Sequence, residues 1–121
     1  MHVAAKVHVC ATFGTRLIGM LGSRRQDGLW MIIPCQCIHT FGMRDPIDIA
    51  FTDSGGIVVL AERNVAPNNV RIARKASFVL ERFSDDSSDW LKPGESAFLK
   101  FGAMLGSGRI HLPGPKSPES A

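Results

Sequence analysis

The sequence contains only three cysteines, Cys10, Cys35 and Cys37, whereas a secreted domain built on disulfides usually carries an even number. Its first residues show no basic stretch followed by a long apolar segment, so we expect no signal peptide. No apolar run approaches the length of a membrane span, and we expect no membrane partner. These absences together predict a cytoplasmic protein with free thiols and no disulfide.

The sequence also lacks a large excess of positive charge. Fourteen basic residues are balanced by eleven acidic ones, which leaves a formal net charge of +3. That value is too small to indicate a nucleic-acid-binding face, and we expect no nucleic-acid partner. The one short basic cluster, residues 71–75, is interpreted as a solvated loop with ordinary basic residues rather than a phosphate contact.

Two common catalytic motifs do not occur. The sequence has no Gly-x-Ser-x-Gly elbow and no Gly-x-x-x-x-Gly-Lys phosphate loop, so the corresponding hydrolases and nucleotide-binding enzymes lack support. Nothing in the sequence requires a cofactor, and none is predicted.

The pattern that is present is mainly that of β-structure. Apolar residues alternate with polar ones, or form short apolar runs, in segments 3–9, 29–33, 47–52, 57–63, 77–83 and 97–101. Asp53-Ser54-Gly55-Gly56 separates two of these segments and predicts a tight hairpin, because glycine tolerates the positive φ of such turns. One early helix is predicted over residues 15–22, where apolar residues have helical spacing.

These elements predict a mainly β (α+β) fold, a compact antiparallel β-sandwich or partly open barrel with one or two short helices. A chain of 121 residues suits one domain, which we place at residues 1–105. Residues 106–121 are rich in glycine and proline and predict a flexible tail.

Five short motifs, taken in order, resemble one family. They are Arg16-Leu17-Ile18-Gly19-Met20-Leu21, the run from His39 to Asp48, Asp53-Ser54-Gly55-Gly56-Ile57-Val58, Val79-Leu80-Glu81 and Lys92-Pro93-Gly94-Glu95. Their order is similar to that of the prokaryotic domain of unknown function 192 family, over roughly residues 5 to 101. The resemblance implies a small β-rich fold with a short N-terminal helix, and it implies no activity.

Cys35, Cys37 and His39 alternate within one strand-like run. In an extended chain all three would share a face. Structural zinc sites draw ligands from closely spaced turns and need a fourth ligand, which this spacing does not supply, so no metal site is predicted. A nucleophilic Cys37 beside His39 is geometrically possible but lacks an evident third, orienting group. The favoured interpretation is that the thiols fill gaps in a core or loop.

Asp48 lies between two isoleucines on a predicted strand, where an unpaired carboxylate would be costly. We therefore predict a structural brace in which Asp48 is buried and bonded to Arg16, to Arg44 or to backbone amides. Glu81 is assigned to the same brace. The competing interpretation is that Arg44 and Asp48 clamp a carboxylate or phosphate while His39 moves a proton near neutral pH.

Two functional hypotheses follow from these residues. The favoured one is a non-catalytic domain that binds a small ligand or a protein partner at a site around His39, Met43 and Arg44, although Met43, like Trp30, would more often be a core residue. The alternative is a small hydrolase or lyase that acts on a compact anionic substrate, with His39 as acid/base and Arg44 as anchor.

Overall fold

The computed structural model describes residues 7–10 and 28–101 of the chain. Within them lie seven strands and one short helix. The strands are β1 (Val7–Cys10), β2 (Leu29–Ile32), β3 (Cys37–His39), β4 (Ile47–Thr52), β5 (Val58–Val65), β6 (Val70–Ile72) and β7 (Phe78–Phe83), and the helix α1 is Ala97–Lys100. The predicted mainly β fold is confirmed.

Five strands form one sheet in the order β1-β2-β7-β4-β5. Strand β1 runs parallel to β2, and every other neighbouring pair is antiparallel. Among the described strands β1 and β5 are the outer members and do not pair with each other, so the sheet is not a closed barrel.

The predicted hairpin joins β4 to β5. The amide of Gly56 donates to the carbonyl of Asp53, and Gly56 has a φ of 87°, in the region that favours glycine. Oδ1 of Asp53 also accepts hydrogen bonds from the amides of Gly55 and Ile57. The turn is therefore closed by its own aspartate, as this type of sequence predicts.

Side chains alternate between the two faces of the sheet and form two cores. The first face carries Ile47, Ile49 and Phe51 of β4, with Val79 and Phe83 of β7. The second face carries Leu80, with the aromatic and aliphatic side chains of the segment that follows β7, among them Trp90 and Leu91. Nε1 of Trp90 donates to the carbonyl of Ile49 and ties that segment to the sheet.

Strands β3 and β6 form a separate antiparallel pair, here called the ribbon. Its inward residues, Ile38 and the adjoining Ala73, belong to the first core. On β6, Arg71 forms a bidentate pair with Glu62 of β5, with nitrogen–oxygen distances of 2.7 and 3.0 Å. The ribbon is thus fixed to the large sheet by both apolar packing and an ion pair.

The predicted final strand, residues 97–101, is wrong. Ala97–Lys100 is helical, and the side chain of Ser96 caps it by accepting a hydrogen bond from the amide of Leu99. The apolar alternation fits one turn of helix as well as a strand, because Ala97 alone is buried while Leu99 is exposed. The serine cap decides between the two.

Several sequence predictions lie outside the described residues. These are the helix over 15–22 with Arg16, most of the first strand, the end of the proposed domain and the tail at 106–121. In the described ranges no helix is both long and apolar enough to cross a membrane.

Candidate functional site

A tight turn follows β3 and presents the residues that the sequence singles out. The amide of Met43 donates to the carbonyl of Thr40 at 3.1 Å, and Gly42 has a φ of 85°. A glycine with positive φ at the third position is typical of a type II turn. The turn leaves Phe41 at its tip, with half of its surface exposed.

Thr40 holds this turn in place although it carries no charge. It is fully buried, and its hydroxyl donates to the carbonyl of Ala66 while accepting from the amide of Asn69, both at 2.8 Å. Its amide donates to the carbonyl of Asn69, and its carbonyl also accepts from the amide of Asn68. These bonds join the turn to the loop before β6, so the two segments form one rigid unit.

The outer side of the ribbon is apolar and exposed. Cross-strand pairing sets Cys37 opposite Ile72 and His39 opposite Val70, and all four residues are exposed. The ring of Phe41 stacks on that of His39, with centroids 5.2 Å apart and an interplanar angle of 24°. We call this set, Cys37, His39, Phe41, Val70 and Ile72, the ribbon face.

His39 is oriented by the backbone. Its Nδ1 accepts a hydrogen bond from the amide of Phe41 at 3.2 Å, so in the neutral ring the proton lies on Nε2. No described carboxylate or thiol is hydrogen-bonded to His39, and no hydrogen bond links it to Cys37. Among the described residues, His39 is thus held by the amide and the ring of Phe41.

The other two residues predicted for the site point in different directions. Met43 is partly buried and packs against the first core, whereas Arg44 is exposed. Arg44 makes no hydrogen bond or ion pair with any described residue. The structure thus groups His39 with Phe41 and leaves Arg44 just after the same turn, whereas Met43 packs against the first core.

Asp48, for which the sequence predicts a structural brace, lies in a hydrogen-bond network whose cations are Arg82 and Arg63. Asp48 is fully buried, and its Oδ2 accepts from Nε of Arg82 at 2.9 Å and lies 3.7 Å from Arg63. Its Oδ1 accepts from the amide of Asn64 and the hydroxyl of Ser84, each at 2.9 Å. A backbone amide was an expected partner, but the cation is not Arg44.

The same two arginines fix the loop after β7. Arg63 donates to the carbonyls of Asp85 and Ser88 at 2.7 and 2.9 Å, and Arg82 reaches the same loop. The guanidinium of Arg82 also lies over the Trp90 ring, 4.7 Å from its centroid. Each described group around Asp48 is thereby engaged with the protein, which favours a structural role over ligand binding.

Glu81 is not part of this network. It lies on the opposite face of β7 from Arg82, flanked in register by Trp30 and Ile49. The carboxyl is buried and has no hydrogen-bond partner among the described residues, and desolvation raises its pKa to about 7. The structure therefore separates the two acids that the sequence assigned to one brace.

The cysteines also separate. Cys35 precedes β3, packs against the first core and donates from Sγ to the carbonyl of Cys37, whereas Cys37 is exposed on the ribbon face. Neither forms a disulfide. In residues 7–10 and 28–101 no group of three or more histidine, cysteine, aspartate or glutamate side chains has the arrangement of a metal site.

Sequence reasoning missed Phe41, Val70 and Ile72. Their common exposure depends on the pairing of β3 with β6, and β6 is too short to stand out in the pattern. The glycine after Phe41 was the available signal, since it indicates a turn that displays the residue before it.

Comparison with known proteins gives a family and a fold. The family model described as "Uncharacterized ACR", that of domain of unknown function 192, matches residues 1–92. A crystal structure of a "putative transcription regulator" from Sinorhizobium meliloti 1021 is similar, with a TM-score of 0.58 and 18% identity, over 64% of this chain and 67% of that chain.

A crystal structure of a protein of unknown function from Novosphingobium aromaticivorans DSM 12444 is also similar, with a TM-score of 0.64 and 14% identity, over 74% of this chain and 71% of that chain. No protein of curated function matches the chain. At these identities the structural likeness shows the fold alone.

Proposed function

Because the chain belongs to the domain of unknown function 192 family, whose description assigns no activity, we propose from geometry that it is a non-catalytic binding domain. Its contact surface is the ribbon face, with Arg44 at the end of the adjoining turn. The observation that carries the proposal is the exposed stack of Phe41 on His39 beside Val70 and Ile72. Contiguous exposed apolar surface on a soluble protein commonly marks an interaction site.

The way this surface is held supports the proposal. Phe41 and His39 flank the buried Thr40, whose hydrogen bonds fix the turn before any partner arrives. Side chains that are already ordered lose little conformational freedom on binding, so more of the contact energy contributes to affinity. A flexible loop carrying the same residues would bind less tightly.

The exposure of the surface also indicates the size of the partner. Small-molecule sites are usually concave and bury most of their ligand. The residues of the ribbon face are exposed on the outer side of two paired strands. A protein segment suits such a surface better than a compact metabolite, and aromatic residues are enriched in protein interfaces.

A peptide selection tests this function. Random peptides displayed on phage are selected on the wild-type protein, and the enriched peptides are then measured against Phe41→Ser/Ile72→Ser. Both side chains are about half exposed, so the double variant should stay folded, with an unchanged circular dichroism spectrum. We expect the selected peptides to lose about tenfold or more in affinity, because each lost apolar contact contributes on the order of 1 kcal/mol.

Leu99→Ser is the matched control. Leu99 is the most exposed large apolar residue of the described chain and lies on α1, outside the ribbon face. The selected peptides should bind this variant as they bind the wild type. Absence of any enriched peptide, or equal binding to the wild type and the double variant, would contradict the proposed function.

A further inference from the structure

The ribbon face is bordered by cations at both of its ends. Arg44 follows the turn that leaves β3. The strands are antiparallel, so β6 runs the opposite way and ends near the start of β3. Arg74 and Lys75 follow β6 at that end, where the side chain of Gln36 donates to the carbonyl of Arg74. All three cations are exposed.

Acidic residues are scarce in the same region. Segments 36–45 and 69–76 contain four basic residues, Arg44, Arg71, Arg74 and Lys75, and one acid, Asp45. Arg71 is already neutralised by its bidentate pair with Glu62, a contact that lowers the pKa of Glu62. Arg44, Arg74 and Lys75 make no ion pair with a described residue. Their charge is therefore available to a partner.

We propose that the ribbon face binds an acidic, extended segment of a partner protein, with apolar side chains at its centre and carboxylates toward its ends. This inference rests on the proposed binding function and adds the chemical class of the partner. The extended segment from Gln36 to Thr40, which contains β3, spans four residue rises, or roughly 13 Å. An extended segment of similar length places its apolar residues on the face and its acids beside the cations.

A second copy of this chain is a poorer occupant. When two ribbon faces meet in either direction, the cationic end of one copy lies against a cationic end of the other. Like charges brought together in this way oppose association. The complementary charge of an acidic segment removes that penalty and speeds its encounter with the face.

Three synthetic peptides test the charge preference. Each has the apolar centre Leu-Phe-Val, flanked on both sides by aspartates, by asparagines or by lysines. We expect the aspartate peptide to bind about three- to tenfold more tightly than the asparagine peptide at low salt, because exposed ion pairs are individually weak. The lysine peptide should bind most weakly, and the aspartate advantage should shrink at high salt.

Charge reversal supplies the matched variants. Arg44→Glu/Arg74→Glu/Lys75→Glu should reverse the order and favour the lysine peptide. Lys92→Glu changes an exposed lysine in the turn before α1 and should keep the wild-type order. Equal affinity of the aspartate and asparagine peptides for the wild type would overturn the acidic-segment proposal while leaving a binding domain in place.

Other outcomes separate the two proposals. If none of the three peptides binds and the phage selection also yields nothing, both proposals fail. The wild type could instead bind phosphatidylglycerol vesicles more tightly than it binds the aspartate peptide. That result would identify a lipid surface as the partner and overturn the protein-segment proposal. If the wild type forms a concentration-dependent dimer and Phe41→Ser/Ile72→Ser abolishes it, the occupant of the ribbon face is a second copy of this chain. That result would also overturn the protein-segment proposal.

Discussion

Nε of Arg82 donates a 2.9 Å hydrogen bond to Oδ2 of Asp48, and the two residues face each other directly in the register of β7 and β4. Asp48 is fully buried, yet both of its oxygens are engaged, because Asn64 and Ser84 donate to Oδ1. The carboxylate connects the centre of the sheet to the end of β5 and to the segment after β7. A buried charge with this many donors is stable only while the set remains complete.

Asp48→Ala should therefore cost about 3–5 kcal/mol of unfolding free energy, because Nε of Arg82, the amide of Asn64 and the hydroxyl of Ser84 all lose the carboxylate to which they donate. Asp53→Ala removes an acceptor of two hydrogen bonds in the exposed hairpin turn and should cost only about 1–2 kcal/mol. Urea unfolding of both variants measures the difference.

Asp89→Ala is the control, since Asp89 is exposed and bonded to no described residue. It should change stability by less than about 0.5 kcal/mol. A urea midpoint for Asp48→Ala equal to that of the wild type would remove the brace and return Asp48 to the list of ligand-binding candidates.

Thr40 provides a second stability prediction. Thr40→Val removes a buried hydroxyl that bonds to Ala66 and Asn69, and should cost about 1–3 kcal/mol because the amide of Asn69 loses its acceptor and the carbonyl of Ala66 keeps only the bond from Nδ2 of Asn69. Thr52→Val is a matched substitution at a site that is also fully buried, where the hydroxyl makes one long bond of 3.4 Å to Ala50. Thermal unfolding should show a clearly smaller loss for Thr52→Val, and equal losses would contradict the role assigned to Thr40.

The raised pKa of Glu81 makes the stability of the protein depend on pH. Burial raises its pKa from 4.5 to about 7, so below pH 4.5 the folded and unfolded states both hold the proton. As the pH rises above 4.5 the unfolded state ionises first, and stability is lost until the folded state also ionises near pH 7. The shift corresponds to roughly 3 kcal/mol at higher pH.

Glu81→Gln removes this ionisation and keeps a side chain of the same shape. It should stabilise the protein at pH 8 and have little effect at pH 4, as measured by urea unfolding at several pH values. If Glu81→Gln changes the free energy of unfolding by the same amount at pH 4 and at pH 8, ionisation of Glu81 does not cause the loss of stability with rising pH.

Gly56 combines two constraints that can be separated. A Cβ at this position would overlap the ring of Phe98, and the φ of Gly56 is 87°. Gly94 has a φ of 91°, and no described atom lies within 4 Å of a Cβ built on it, so Gly94→Ala should cost only the roughly 1–2 kcal/mol of backbone strain.

Gly56→Ala should cost about 1–3 kcal/mol more than Gly94→Ala because of the added overlap. Part of the excess should disappear when Phe98→Ala is combined with it, as a double-mutant cycle by chemical denaturation would show. If Gly56→Ala and Gly94→Ala lower the free energy of unfolding equally, the ring of Phe98 moves aside at no energetic cost.

Local signals and long-range pairing explain which sequence predictions succeeded. The hairpin at Asp53 to Gly56 was predictable because the aspartate and glycines act on their own turn. The partner of Asp48 was not, because Arg82 lies 34 residues away and only the register of β4 against β7 brings the two together. From charge alone, Arg16 and Arg44 were equally reasonable candidates for the cation that pairs with Asp48.

The same difference between local signals and long-range pairing applies to the candidate site. His39 and Arg44 were identified from their residue types, whereas Val70 and Ile72 contribute only through the pairing of β3 with β6. In α1 the alternation of apolar residues was misinterpreted as a strand, although Ser96 was a helix-capping signal in the sequence.

The most direct test of the binding function is a footprint of a selected peptide on the isotope-labelled wild-type protein by nuclear magnetic resonance. We predict that amide shifts change in residues 37–44 and 69–75, around the ribbon face, and that those of α1 and of the loop after β7 do not. Shifts confined to α1 or to the Asp48 network, with the ribbon face unchanged, would contradict the account.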